Sequence, residues 1–167
     1  MAASFDHVGT LPVVVVLDDV RSLYNVGAFF RTADAVRLER LVLAGITGCP
    51  PSRQITKTAL GAEDHVVWES VRYARPRVDA LRGAGYEIAV VETDVRGVDV
   101  FEWHPAFPVC LVFGHEVEGV RPSLVEAADT LVHIPMRGMK GSLNVATAGG
   151  VVLFELLRKY VASLDRV

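Results

Sequence analysis

Cysteine is scarce: Cys49 and Cys110 are the two among 167 residues, and they form neither a Cys-x-x-Cys pair nor a Cys/His ligand spacing. That excludes a disulfide framework and a zinc ribbon, and points to a reducing cytosol. A basic excess is also missing, because 17 Lys and Arg stand against 20 Asp and Glu, for a net charge of −3. The chain is therefore not one that grips nucleic acid by indiscriminate phosphate neutralisation. The strongest apolar run, Val13–Leu17, falls far short of the ~20 residues of a membrane span. Met1–Thr10 shows no basic stretch followed by a long apolar segment, so neither secretion nor membrane insertion is expected. Common site signatures fail in the same way. Gly83-Ala84-Gly85 has no third glycine and precedes a strand, no Gly-Lys-Ser/Thr loop occurs, and His115-Glu116 has no second His four residues on. Nicotinamide, NTPase and zinc-hydrolase chemistries lose their main support.

What is present is a globular composition, 51% apolar and 22% charged, in a length that suits one domain over residues 1–167 with a single core. Positive charge is unevenly spread: Arg21, Arg31, Arg37, Arg40, Arg53 and Lys57 fall early, and Arg137 and Lys140 share a late loop.

Short β-branched runs alternate with segments of helical period, the pattern of an α/β domain with a mainly parallel six-stranded sheet flanked by helices. The expected strands are Pro12–Leu17, Arg40–Ala44, His65–Trp68, Glu87–Glu92, Val109–Phe113 and Leu131–Ile134. Expected helices run from an Asn25 cap to about Val36, from a Ser52 cap to about Leu60, and from a first turn holding Pro76 to about Arg82. Two more run over Pro122–Ala128 and from an Asn144 cap to near the C-terminus. Ligands of open α/β sheets bind beyond the carboxyl ends of the strands. That draws attention to the loops Asp18–Asn25, Thr93–Trp103, Gly114–Arg121 and Pro135–Leu143, all rich in Gly, Asn, Ser or charge.

Three segments carry candidate chemistry. In Asn25–Ala33, Asn25 and Arg31 are six apart, so a capping Asn at a cleft mouth and an Arg on the second helical turn are both able to face one cleft. Leu111–Val120 places Gly114 and Glu116 just past an apolar strand, where a glycine admits close backbone approach and a carboxylate orients polar groups. Ile134–Val145 holds a glycine-containing loop with exposed apolar candidates Met136, Met139 and Leu143, a Ser142 hydroxyl and an Asn144 amide. Taken singly, each has an ordinary structural alternative: a helix cap and surface Arg, a strand-ending turn, a loop-to-helix connection.

Together, in this order and spacing, the three segments resemble the motifs of the SpoU (TrmH) branch of the SPOUT methyltransferase superfamily. The resemblance spans nearly the whole chain. It implies a ribose 2′-O-methyltransferase acting on RNA with S-adenosyl-L-methionine and no metal. It further implies that Arg31 is the principal catalytic residue, that Asn25 helps hold the site, and that Glu116, Ser142 and Asn144 lie at the reacting centre. A cofactor pocket of backbone groups is implied around Thr93, Gly114, Ile134, Met136 and Leu143. So are a C-terminal trefoil knot and a homodimer whose sites borrow residues from the neighbouring subunit.

A guanidinium stays protonated at physiological pH, which makes Arg31 better suited to stabilising a developing alkoxide or clamping a phosphate than to abstracting a proton. No appended RNA-binding domain is visible, so RNA capture is expected from the dimer surface, and a compact RNA such as tRNA suits that mode. An rRNA substrate, a catalytically idle RNA- or cofactor-binding dimer, and a flavodoxin-like nucleotide-binding domain stay open as alternatives.

Overall fold

A computed structural model describes residue 5 and residues 7–93 and 96–166. Residues 1–4 and 6, half of the segment read for a leader, lie outside the described residues. So do residues 94 and 95 of the loop expected from Thr93 to Trp103, and residue 167.

The element order is β1 (Leu11–Asp18), α1 (Leu23–Val36), β2 (Leu38–Ala44), α2 (Arg53–Ala59), a 3₁₀ turn (Ala62–Asp64), β3 (Trp68–Val71) and α3 (Ala74–Gly83). It continues with β4 (Glu87–Val91), β5 (Val98–Asp99), β6 (Val109–Phe113), α4 (Pro122–Ala127), β7 (Thr130–His133) and α5 (Val145–Leu164). The strands form one sheet in the order β3-β2-β1-β6-β4-β7-β5, and every pairing is parallel.

Seven strands, not six, make up the sheet among the described residues. The extra one, β5, is a two-residue edge strand held by Val98 opposite Val132 and Asp99 opposite His133, too short to leave a periodic signal. The third strand begins at Trp68 rather than His65. The backbone N–H groups of His65 and Val66 are both taken by the carbonyl of Ala62, so the preceding turn consumes the residues that would have opened the strand.

β1 shows why the sheet is central. Val13, Val15 and Leu17 enter one buried cluster with Phe29, Phe30, Leu153 and Leu156; Val14 and Val16 enter the other with Val78, Leu81 and Leu124. Alternate side chains of a strand point to opposite faces, so a run of β-branched residues is what a strand covered on both sides requires. Each fully buried Phe or Leu contributes roughly 1.5–3 kcal/mol. α1 and α5 cover one face, α3 and α4 the other. α1 and α5 approach closely because Gly149 has no Cβ: one built there would meet the Phe29 ring at 2.3 Å.

Helix starts place the later site. Ser22, not Asn25, caps α1, its Oγ accepting from the backbone N–H of Asn25 at 3.2 Å. Ser22 has the extended backbone that a cap needs, whereas Asn25 sits inside the first turn, which leaves its side chain for other partners. Asn144 does cap α5, accepting from the N–H groups of Ala146 at 2.9 Å and Thr147 at 3.2 Å.

Candidate active site

The carboxyl ends of β4, β6 and β7 open onto a cavity of about 350 Å³. Its walls come from Val91–Thr93, from 113–120, and from the loop that leaves β7 and reaches the first turns of α5. Nine of the ten candidate residues lie at or beside it. Glu116, Ser142 and Asn144, together with Thr93, Gly114, Ile134, Met136 and Leu143, line it directly. Asn25 does not line it but is bonded to two residues that do.

That bonding is the organising feature of the site. The Glu116 carboxylate accepts from the backbone N–H of Arg21 at 3.0 Å, from that of Ser22 at 2.9 Å, and from Nδ2 of Asn25 at 3.3 Å. Asn144 Nδ2 donates to Oδ1 of Asn25 at 3.2 Å while its own Oδ1 caps α5. Asn144 thus serves as both cap and bridging amide. Residues from all three candidate segments meet in one chain of hydrogen bonds.

The electrostatics follow from the geometry. Partial burial pushes the Glu116 carboxyl up, but the N–H donors of Ser22 and Arg21 and the amide of Asn25 outweigh it and hold its pKa below the ordinary 4.5. An ionised carboxylate at the start of α1 also complements the helix dipole, which no acidic residue in the first turn of that helix does. The Glu116 oxygens are accordingly engaged in holding the 21–25 segment.

Gly114 lines the cavity and also has a packing role within the chain. A Cβ there would meet the carbonyl oxygen of Gly119 at 2.5 Å and Cα of Val120 at 2.6 Å. The missing side chain lets the 115–119 turn fold back over the end of β6, so the close approach is within the chain. His115, given no role from sequence, shapes the same turn: its Nδ1 accepts from the N–H groups of Val117 and Glu118, both at 3.1 Å.

Arg31 is not brought to this cavity. Six residues past Asn25, it lies ~9 Å further along α1 and ~120° around it, so the expectation that both face one cleft within a single chain does not hold. It is exposed on a shallow depression with Ala28, Thr32, Ala35, Lys57, Thr58 and Phe154, and makes no hydrogen bond or ion pair among the described residues.

Two further groups escaped the sequence reading. Glu92, at the end of β4, lines the cavity and accepts from the N–H of Val120 at 2.6 Å; a carboxylate ending a strand was its one visible sign. Asp18, at the end of β1 and almost fully buried, pairs with Arg121 at 2.8 Å. It ties the loop after β1 to the start of α4, and nothing in the spacing of 103 residues announces it.

The model of the SpoU rRNA methylase family matches residues 12–154, a span that contains all three candidate segments. The chain belongs to this family. Among its SpoU-type relatives, a 23S rRNA (guanosine-2′-O-)-methyltransferase, RlmB, of Ralstonia nicotianae is 34% identical over 148 residues, 89% of this chain and 59% of that protein. The chain spans about three fifths of the length of the curated relatives it matches.

Among solved structures, the A. aeolicus TrmH/SpoU tRNA modifying enzyme superposes with a TM-score of 0.84 at 30% identity, covering 92% of this chain and 78% of that one. The SpoU methyltransferase AviRb from Streptomyces viridochromogenes, in complex with AdoMet, gives 0.77 at 30% identity, covering 89% and 57%. The α/β architecture read from the sequence is that of these SpoU and TrmH structures.

Proposed function

We propose that this chain transfers a methyl group from S-adenosyl-L-methionine to a ribose 2′-hydroxyl of a structured RNA, tRNA first among the substrates, and that it works in the cytoplasm as a homodimer. The observation that carries this reading is the cavity itself. Among the described residues its ionisable lining is Glu92, Glu116, Glu118 and His115, with no Lys or Arg, and its remaining walls include Val91, Ile134, Met136 and Leu143.

Such a lining fits the proposed donor. Carboxylates favour a sulfonium and an ammonium, apolar side chains suit an adenine ring, and the N-terminus of α5 suits a carboxylate. Thr93, Gly114, Ile134, Met136 and Leu143 are the residues that would hold it, and when bound it supplies an electrophilic methyl.

The chain's own residues then have to orient and activate a weak nucleophile. Ser142 and Asn144 at the cavity wall offer a hydroxyl and an amide to the incoming ribose. Asn25 and Glu116 keep Asn144 and the 21–25 segment in place. Arg31 holds the adjacent phosphate or the developing alkoxide, its proton-bearing fork unchanged, while the hydroxyl proton leaves to phosphate or water. Its position outside the cavity of its own chain supports a homodimer in which Arg31 serves the site of the neighbouring copy. The exposed Phe154 beside it supports an apolar contact there.

The similarity to the A. aeolicus tRNA modifying enzyme supports tRNA; the name of the Ralstonia relative supports 23S rRNA as the second reading. Methylation of tRNA and 23S rRNA transcripts with labelled donor, followed by mass-spectrometric mapping, separates them. A 2′-O-methyl nucleoside in one pool names the substrate; a methyl group on a base, or none in either pool, sinks the reading.

A further inference from the structure

We infer a second RNA contact, remote from the cavity: the groove between residues 101–107 and the C-terminal half of α5 binds a single-stranded nucleotide, its base on Phe101 and its phosphates on Arg158 and Arg166. The inference rests on the proposed RNA substrate. The groove, about 320 Å³, is lined by the aromatic residues Phe101, Trp103 and Phe107, by His104, Arg158, Lys159 and Arg166, and, among the described residues, by no carboxylate. In a chain with a net charge of −3 and a candidate cofactor cavity lined by carboxylates, that segregation of charge gives the two concavities opposite partners.

The floor is already built. Lys159 Nζ donates to the carbonyls of Val100 at 2.6 Å, Phe101 at 3.4 Å and Trp103. The indole of Trp103 donates to Glu87 at 3.1 Å, and Glu87 also accepts from the N–H of Ala106 at 2.6 Å. Phe107 packs edge-on against Tyr160 at 5.1 Å. Lys159 and Trp103 are thus structural, and what remains for a ligand is an aromatic ring, Phe101, left 53% exposed, in a groove that also holds Arg158 and Arg166. Arg158 is 65% exposed while paired with Glu155, and Arg166 has no partner among the described residues.

An exposed aromatic ring sharing a groove with guanidinium groups is an arrangement that takes unpaired nucleotides. At 100° per residue, Lys159, Ala162 and Arg166 lie roughly 80–140° round α5 from Phe154 and Arg158 roughly 40°, so a dimer contact centred on Phe154 leaves the Arg166 side of the groove open; the groove begins ~20 Å along that helix from Asn144. A flanking strand of the substrate, not the reacting ribose, is what reaches it.

The test uses the whole chain, a fluorescein-labelled single-stranded RNA 12-mer read by anisotropy at several salt concentrations, and S-adenosylmethionine titrated by calorimetry. Phe101→Ser is expected to weaken RNA binding about tenfold, and R158Q/R166Q together to reduce the magnitude of the salt slope by about 1.4, with donor binding unchanged in both. Wild-type RNA affinity and slope in both variants would overturn the groove while leaving the methyltransferase reading intact. Displacement of the RNA by poly-glutamate as readily as by unlabelled RNA would overturn it too, leaving a plain anion surface. A wild-type chain that binds neither RNA nor donor would end both readings.

Discussion

Asn144 donates its side-chain amide to Oδ1 of Asn25 across 119 positions of sequence, and Asn25 donates to Glu116 across 91. Three segments that each look ordinary alone are thereby fastened at one point, beside the mouth of a cavity. Because Glu116 also takes two backbone N–H groups from Arg21 and Ser22, its charge holds the entry to α1 as well as the junction.

The pH dependence of that junction has a definite sign. The folded pKa of Glu116 lies below the ordinary 4.5, so its contribution to stability is complete above that value and is lost as pH falls through the depressed folded value. Glu116→Gln does not titrate and turns an N–H donor toward N–H groups, at a cost of about 1 kcal/mol near neutrality. Urea midpoints of wild type and variant should keep a constant gap around pH 7 and converge below 4.5. A gap that persists in acid would mean that the charge is immaterial.

Gly114→Ala should destabilise the chain by about 1–3 kcal/mol, because the new Cβ meets backbone atoms of Gly119 and Val120, not a flexible side chain. Since the 115–119 turn must then move off β6, donor affinity should fall with stability, which calorimetry and urea unfolding measure on one sample. Unchanged values for both would show that the turn yields freely.

Arg121→Ala removes the partner of a carboxylate that burial already pushes above its ordinary 3.8, with Arg121 lowering it and Asp19 raising it. The folded pKa of Asp18 should climb further. A carboxyl with a raised folded pKa stabilises below its unfolded value and loses that contribution as pH rises through the folded one. The variant's deficit, about 1–3 kcal/mol for an unpaired buried group, is therefore expected near neutrality and should shrink in acid. A deficit independent of pH would assign the loss to packing.

Arg31→Lys should lower turnover by a factor of about 10² or more while leaving donor binding intact, since a point charge cannot reproduce the guanidinium fork. In a mixture of Arg31→Ala with Asn144→Ala, each inactive alone, heterodimers would carry one complete site, and partial activity should return. Mixtures as inactive as their parents would place Arg31 in the site of its own chain.

Strand and helix order was legible because period-two and helical patterns report burial directly: the β-branched run Val13–Val16 could only belong to a strand covered on both faces. The segments that meet at the cavity were legible too, since Gly, Asn, Ser and Glu at strand ends are local choices made for local backbone reasons, and nine of the ten candidate residues lie at or beside that cavity. Where sequence reading erred, the deciding contact was distant. Ser22 displaced Asn25 as the α1 cap, freeing that amide for Glu116 and Asn144. β5 exists because β7 offers its edge to Val98 and Asp99. Tertiary placement also added what no local pattern announces: Gly119 folds over Gly114, and Arg31 lies outside the cavity of its own chain, six residues of helical rotation from Asn25. Composition and periodicity specify which residues are buried and what each segment prefers; which polar groups meet across 91 or 119 positions depends on how the strands are ordered in the sheet, and that order is a property of the packed chain as a whole.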